Sequence, residues 1–196
     1  YRSFVWLNDN FKPVNYNEIL NSAATFPRRY GSEPIFSSYQ NDTEAASAAK
    51  KTIYGKSDAE IKLTSFYTEN ELVLNFDVND ETASPADCIK IYFDIGNEKE
   101  TYYDSNDFKA VICRNGECDN AEIGVLITEN AHGWNCSASI PDYLLSDTSL
   151  ESGKIIGFDF GYEDYNAAET LLSEKIWRGS LNNFSSTTAF GYLMFK

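Results

Sequence analysis

The stretch Asp87-Cys-Ile-Lys-Ile-Tyr-Phe-Asp-Ile95 decides the fold class that we predict for this 196-residue chain. Every second residue, from Ile89 to Ile95, is aliphatic or aromatic, and the alternate positions carry Cys, Lys, Tyr and Asp. A period of two indicates a β-strand with one face in a hydrophobic core. A second stretch, Asp107-Phe-Lys-Ala-Val-Ile-Cys113, repeats the pattern. We therefore predict that the two stretches form paired strands.

The register of this pair follows if the strands run antiparallel across the turn between them. It then pairs Asp94 with Asp107, Lys90 with Val111 and Cys88 with Cys113. In this register the side chains of Lys90, Tyr92 and Lys109 point away from the core. The outward face of the pair is therefore where we expect a ligand to bind.

Strand patterns continue through the rest of the chain. Apolar residues alternate with polar ones in residues 59–66, 72–78, 121–128 and 133–140, and further apolar segments follow at 154–162, 174–177 and 189–195. About nine short strands separated by turns are typical of two packed antiparallel sheets. We predict an all-β fold, an antiparallel β-sandwich of the jelly-roll-like type.

The N-terminal part is different in composition. Residues 1–52 are rich in aromatic residues and Asn, and they show no long period apart from short strand-like segments at 4–7 and 34–39. An Ala-rich segment that ends in two lysines predicts one short helix near residues 43–51, since cations favour the last turn of a helix. We predict one module over residues 1–196, with residues 1–52 as an enlarged N-terminal segment.

The charge of the chain restricts its partners. There are 30 acidic and 16 basic residues, and the net charge is −14. Nucleic acids and anionic membranes both require a basic surface, so we expect neither as a partner. No apolar run approaches the roughly 20 residues of a membrane-spanning helix. Because the sequence has no initiator Met and no signal peptide, we expect it to be one module of a longer protein.

Four cysteines allow three pairings. Our first preference is Cys113–Cys118, because these residues flank an Asn-Gly turn, which is a strong hairpin signal. The predicted register makes Cys88–Cys113 the competing pair. Disulfide bonds would favour an extracellular or cell-surface location, as expected for a secreted protein.

Residues that could carry catalysis are few. His132 is the only histidine, and no Gly-x-Ser-x-Gly sequence exists. We therefore predict that the chain is not an enzyme.

A cation site is predicted in the loop before the second strand. Asp104, Asn106 and Asp107 offer hard oxygen ligands at close spacing, which Ca²⁺ favours. In the alternative interpretation these side chains cap the backbone of their own turn.

Aromatic side chains suggest sugar recognition, since the C–H groups of a pyranose face pack on aromatic rings. Phe184 is the strongest candidate because it lies in the polar segment Ser180–Thr188, where a phenyl ring has little reason to be buried. Trp177 and Tyr92 are further candidates. Trp134 follows Gly133 at the start of a predicted strand, so packing is its more natural role.

Several sequence segments, in their order along the chain, resemble the family 9 carbohydrate-binding modules. These modules are found attached to xylanases and other polysaccharide-degrading enzymes. The resemblance covers about residues 57–196. The segments that match the family are 59–80, 87–94, 102–107, 153–160, 176–177, 182–183 and 190–193.

The resemblance implies an antiparallel β-sandwich with structural calcium. In this family two tryptophans clamp the end of a sugar chain. Their positions correspond to Phe184 and to a residue near Ser84, where this chain has no aromatic residue. A glutamate and an arginine of the family correspond to Lys90 and Val111.

We predict a non-catalytic module that binds plant or storage polysaccharide, a glucan or a xylan, and that is covalently linked to neighbouring modules of a larger extracellular protein. The predicted sugar-binding residues are Phe184, Trp177, Lys90, Tyr92, Lys109, Asn182 and Asn183. The alternative is a structural or protein-interaction module that has lost the sugar site.

Overall fold

The computed structural model describes residues 35–40, 51–53, 59–80, 82, 84–145, 150–179 and 181–196. All of them belong to one compact unit, Pro34–Lys196. The strand-like segment at 4–7 and most of the predicted helix near residues 43–51 lie outside the described residues. The last residue assigned to that helix, Lys51, instead begins a strand and pairs with Leu63, which corrects the predicted end of the helix. The prediction of one module over residues 1–196 stays a prediction.

Eleven strands and two 3₁₀ turns are present in the described part of the chain, and no α-helix. The strands are β1 (Ile35–Ser38), β2 (Lys51–Ile53), β3 (Glu60–Tyr67), β4 (Glu71–Asn79), β5 (Cys88–Asp94), β6 (Asp107–Cys113), β7 (Gly124–Asn130), β8 (Gly133–Pro141), β9 (Ile155–Tyr165), β10 (Leu171–Ile176) and β11 (Gly191–Phe195). The 3₁₀ turns are Asp142–Leu144 and Leu181–Phe184. Within these ranges no helix could cross a bilayer.

The strands form two sheets. The six-stranded sheet has the order β1-β11-β9-β5-β6, and β10 pairs with β9. One edge of β9 pairs with β5. The other edge pairs with β11 along the first half of β9 and with β10 along the second half. The five-stranded sheet has the order β2-β3-β4-β8-β7. In the described residues all strand pairs are antiparallel except β1 with β11, and an isolated parallel bridge joins Tyr39 to Phe66. The predicted sandwich is confirmed.

The core lies between the sheets and is built by the alternation that the sequence displays. On β5, Ile89, Ile91 and Phe93 are fully buried against the other sheet. Aromatic contacts cross the interior, with ring centroids 5.7 Å apart for Phe76 and Phe160. Trp134 is also fully buried, which agrees with the packing role predicted for it.

The predicted register of β5 and β6 is confirmed at each position, from Cys88 opposite Cys113 to Asp94 opposite Asp107. This register explains the disulfide bond, which joins Cys88 to Cys113. The first preference, Cys113–Cys118, is therefore wrong. Cys118 pairs with Ile112 in an isolated antiparallel bridge, so its side chain points inward, whereas that of Cys113 points outward.

Candidate functional site

The outward face of the six-stranded sheet brings most of the predicted sugar-binding residues together. Lys90 and Tyr92 lie on β5, and Lys109 lies opposite Tyr92 on β6. The segment after β10 folds back over this face and places the ring of Phe184 6.5 Å from that of Tyr92, edge to face. Tyr92 is only 1% exposed, so it supports the ring of Phe184 and is not itself accessible to a sugar, which corrects the role predicted for it. Strand residues and loop residues therefore share one surface, which we call the outward site.

Phe184 is the exposed aromatic residue of the outward site, with 45% of its surface accessible. The ammonium nitrogen of Lys109 lies 3.6 Å from the ring centroid and donates a hydrogen bond of 2.6 Å to the carbonyl oxygen of Phe184. These contacts hold the ring in place while leaving part of it open to solvent.

Asn183 lies beneath this turn and is buried. Its side-chain amide donates to Asp159 Oδ2 at 2.8 Å, and Asp159 also accepts from the backbone N–H groups of Gly179 and Arg178 at 2.6 and 3.0 Å. Burial raises the pKa of Asp159 to about 6, although these hydrogen bonds act in the opposite direction. Asn183 therefore positions the Phe184 turn, whereas its neighbour Asn182 is exposed.

Lys90 forms the polar centre of the outward site together with two residues that the sequence reasoning missed, Glu163 and Glu174. Its ammonium group forms ion pairs with both carboxylates and lies 5.3 Å from the centroid of the Phe184 ring. Burial alone would lower the pKa of Lys90, but the hydrogen bonds to the two glutamates outweigh it and raise the pKa. The glutamate side chains are 17% and 20% exposed, so they remain accessible to a ligand.

Tyr165 is a further aromatic residue of the outward site that the sequence reasoning missed. It lies on β9 two residues after Glu163, so both side chains face the same side of the sheet. Its hydroxyl donates a hydrogen bond to the Glu163 carboxylate at 3.2 Å. Its backbone N–H donates to Asp87 Oδ1 at 2.8 Å, which places it beside the segment that begins at Ser84. Ser84 itself is buried and donates its backbone N–H to the other oxygen of Asp87.

Trp177 takes a different position from the one predicted for it. Its ring stacks on Phe160 at 5.7 Å and contacts Phe158 at 6.2 Å, and both partners belong to the core. The structure therefore packs the ring of Trp177 against the core, where it is half-buried.

The predicted cation loop shows turn-capping contacts. Asp107 Oδ2 accepts from the N–H of Asp104 at 3.0 Å, and Asp104 Oδ1 accepts from the N–H of Asn106 at 2.9 Å. Burial, followed by the nearby carboxylates of Asp94, Asp104 and Glu98, raises the pKa of Asp107 to about 6. Calcium binding in this loop stays a prediction.

A second group of carboxylates could hold a metal ion. Asp80, Asp87 and Asp164 each offer an oxygen, these oxygens lie within 4.8 Å of one another, and all three residues are buried. Burial raises the pKa of Asp87 against its backbone hydrogen bonds, and the other two carboxylates raise it further. Asp80 and Asp87 lie at the two ends of the connection between β4 and β5, and Asp164 lies on β9, so no local sequence pattern predicted this group.

Comparisons with known proteins agree with this architecture. No family model matches the chain. Residues of the chain are 27% identical over 138 positions to endo-1,4-beta-xylanase A of Thermoanaerobacterium saccharolyticum, and 25% identical over 142 positions to exoglucanase XynX of Acetivibrio thermocellus. The matches cover 70% and 72% of this chain but only 12% and 13% of those proteins.

Solved structures with the same fold include a family 9 carbohydrate-binding module from Caldicellulosiruptor kristjanssonii. The match to its complex with cellotriose has a TM-score of 0.75 at 14% identity and covers 83% of this chain and 93% of that one. The match to its complex with glucose has a TM-score of 0.74. The fold of this chain is therefore that of the family 9 modules, and the resemblance predicted from the sequence is confirmed.

Proposed function

We propose that the chain is a non-catalytic carbohydrate-binding module and that the outward site holds the sugar. The observation that carries this proposal is the exposed ring of Phe184 beside the Lys90–Glu163–Glu174 cluster. The likeness of fold to modules solved with cellotriose and with glucose supports it.

The chemistry of the outward site suits a pyranose. An exposed phenyl ring packs against the C–H groups of the sugar face, as aromatic residues do in many small-molecule sites. Glu163 and Glu174 can accept hydrogen bonds from equatorial hydroxyls, while Lys90 holds both carboxylates in place. Charged groups that are ordered and partly exposed would fix the orientation of the sugar, which stacking on a ring alone would not do.

Tyr165 supplies a second aromatic surface in this proposal. It lies next to the segment that contains Ser84, where the resembled family carries a tryptophan, but it comes from β9. A sugar would then lie between Phe184 and Tyr165, over the Lys90–Glu163–Glu174 cluster.

The ligand class that we propose is a neutral glucan or xylan. The net charge of −14 disfavours polyanionic polymers. The curated relatives are named as a xylanase and an exoglucanase, and the chain spans only about an eighth of each, so we propose that it is one module of a larger extracellular polysaccharide-degrading protein.

Affinity electrophoresis tests this proposal. Native gels contain starch, a soluble cellulose derivative, xyloglucan, xylan or mannan, and an inert protein runs beside the chain. We expect retardation by at least one glucan or xylan, and about a tenfold loss of affinity in Phe184→Ala, since stacking on one ring contributes roughly 1–2 kcal/mol.

Leu126→Ala is the matched control, because Leu126 is 64% exposed on the edge strand β7 of the other sheet. It should migrate like the unmodified chain. If no polysaccharide retards the chain, the sugar proposal fails and the alternative of an interaction module replaces it.

We also propose that a structural Ca²⁺ lies among Asp80, Asp87 and Asp164. Three buried carboxylates repel one another, and a divalent cation between them would remove this repulsion. Carboxylate oxygens are the ligands that Ca²⁺ prefers. Because Asp87 also accepts the backbone N–H of Tyr165, an ion there would stiffen the edge of the outward site.

A further inference from the structure

Cys118 and Cys136 are free thiols in the structure, and the Cys118 thiol donates a hydrogen bond to the carbonyl oxygen of Asn120. Cys118 follows the turn after β6 and lies opposite Ile112 in an antiparallel bridge. Residues opposite each other in such a bridge direct their side chains to the same face of the sheet. Ile112 is fully buried in the core, so Cys118 also points into the sandwich, and it packs against the core cluster.

Cys136 also points into the core, from the facing sheet. It lies in the middle of β8, between Phe76 on β4 and Ile127 on β7. It is 1% exposed and belongs to the same core cluster that Cys118 packs against. Burial raises the pKa of the Cys136 thiol to about 12, and the nearby Cys118 thiol adds to this shift, which is consistent with their proximity.

We propose that Cys118 and Cys136 form a second disulfide bond, which links the β6 edge of the six-stranded sheet to β8 of the five-stranded sheet. Cys113 and Cys118 are separated only by the turn residues 114–117. The two bonds together would therefore connect β5, β6 and β8 into one covalently linked unit that includes strands of both sheets.

The chemistry requires a disulfide oxidant such as oxidised glutathione. The thiolate of Cys118, the more exposed of the two, attacks one sulfur of the oxidant and releases one glutathione thiolate, which gives a mixed disulfide. The thiolate of Cys136 then attacks the Cys118 sulfur and releases the second glutathione. Two electrons and two protons pass from the cysteines to the two glutathione molecules, so the step is balanced.

Mass spectrometry of the full chain tests the proposal. The chain is refolded in a buffer of reduced and oxidised glutathione, denatured, and treated with iodoacetamide without prior reduction. We expect no alkylated cysteine, a mass four hydrogen atoms below that of the reduced chain, and a linked peptide that contains Cys118 and Cys136. Alkylation of both residues, with the Cys88–Cys113 peptide intact, would overturn the proposal.

Variants give a second readout. Cys118→Ser and Cys136→Ala should each leave one alkylated thiol, and the double variant should leave none. The melting temperature of the double variant should lie about 5–10 °C below that of the oxidised chain, and it should match a chain in which only this bond is open. An unchanged melting temperature, together with two free thiols in the unmodified chain, would show that the cysteines do not bond.

Discussion

Lys109 lies over the ring of Phe184 and at the same time donates a hydrogen bond to the carbonyl oxygen of that residue. One side chain thus restrains both the backbone and the ring of the exposed aromatic residue. The ammonium group covers one face of the ring, so a sugar would have to stack on the remaining exposed part.

Lys109→Met should weaken sugar binding several-fold, but less than Phe184→Ala does. The methionine side chain keeps apolar contact with the ring and removes the hydrogen bond to the Phe184 carbonyl, so the turn becomes less ordered. Isothermal titration with a soluble oligosaccharide measures the change. If affinity rises instead, Lys109 competes with the sugar for the ring and does not position it.

Tyr165→Ala should weaken binding by roughly fivefold if the tyrosine ring packs against a sugar, since aromatic contacts contribute about 1 kcal/mol. Tyr165→Phe should weaken it less, because the ring remains and only the hydroxyl contact with Glu163 is lost. Affinity gels with the polysaccharide that the unmodified chain binds can rank the two variants. Equal migration of both variants and the unmodified chain would exclude Tyr165 from the site.

Adding Ca²⁺ in excess to a chain that was first treated with a chelator should raise its melting temperature by several degrees. An ion that binds only the folded state stabilises that state by mass action. Asp164→Asn should abolish this response, and Asp104→Asn should leave it intact. Calorimetry with and without Ca²⁺ measures both. The reverse result would place the ion in the Asp104–Asp107 loop, and no response in the unmodified chain would exclude calcium from both groups.

The free energy of unfolding should increase as the pH falls from about 7 towards 4. Asp159 has a pKa of about 6 in the folded chain and an ordinary value of 3.8, so between these values the folded state binds more protons than the unfolded state. This contribution to stability is complete below the ordinary pKa and is lost as the pH rises through about 6.

Denaturant titrations at several pH values, in the presence of a chelator, test this dependence. Asp159→Asn should show a smaller increase on acidification, while relief of the general repulsion from the net charge of −14 should remain in both proteins. Identical pH dependence in the variant and the unmodified chain would show that Asp159 does not titrate in this range.

Local patterns predicted the part of the fold that depends on neighbouring residues in sequence. The alternation at Ile89, Ile91 and Phe93 was sufficient to give the strand, its buried face and the register with β6. The same reasoning located the outward site, because strand parity decides the face to which Lys90 and Lys109 belong.

Local patterns could not predict contacts between segments that are far apart in sequence. The sequence of β9 is almost continuously apolar, so it did not indicate that Asp159 and Glu163 face the same side of the sheet as Lys90. The ion pair of Lys90 with Glu163 was therefore missed. Trp177 was interpreted as a sugar-binding residue from its type, whereas its position after β10 brings its ring onto Phe160. Cys118 was paired with Cys113 because of the turn between them, although the bridge to Ile112 turns its side chain to the opposite face.

Among the described strands, β1 and β11 form the one parallel pair, and this pairing has a mechanical consequence. Ile35 lies opposite Tyr192 and Ser38 lies opposite Phe195, so the first described strand runs beside the last and in the same direction. Tension applied to residue 35 and residue 196 would pull these strands past each other along their length. The hydrogen bonds between them would then share the load and break together, not one after another. A module with this arrangement would resist a force that pulls its first and last described strands in opposite directions.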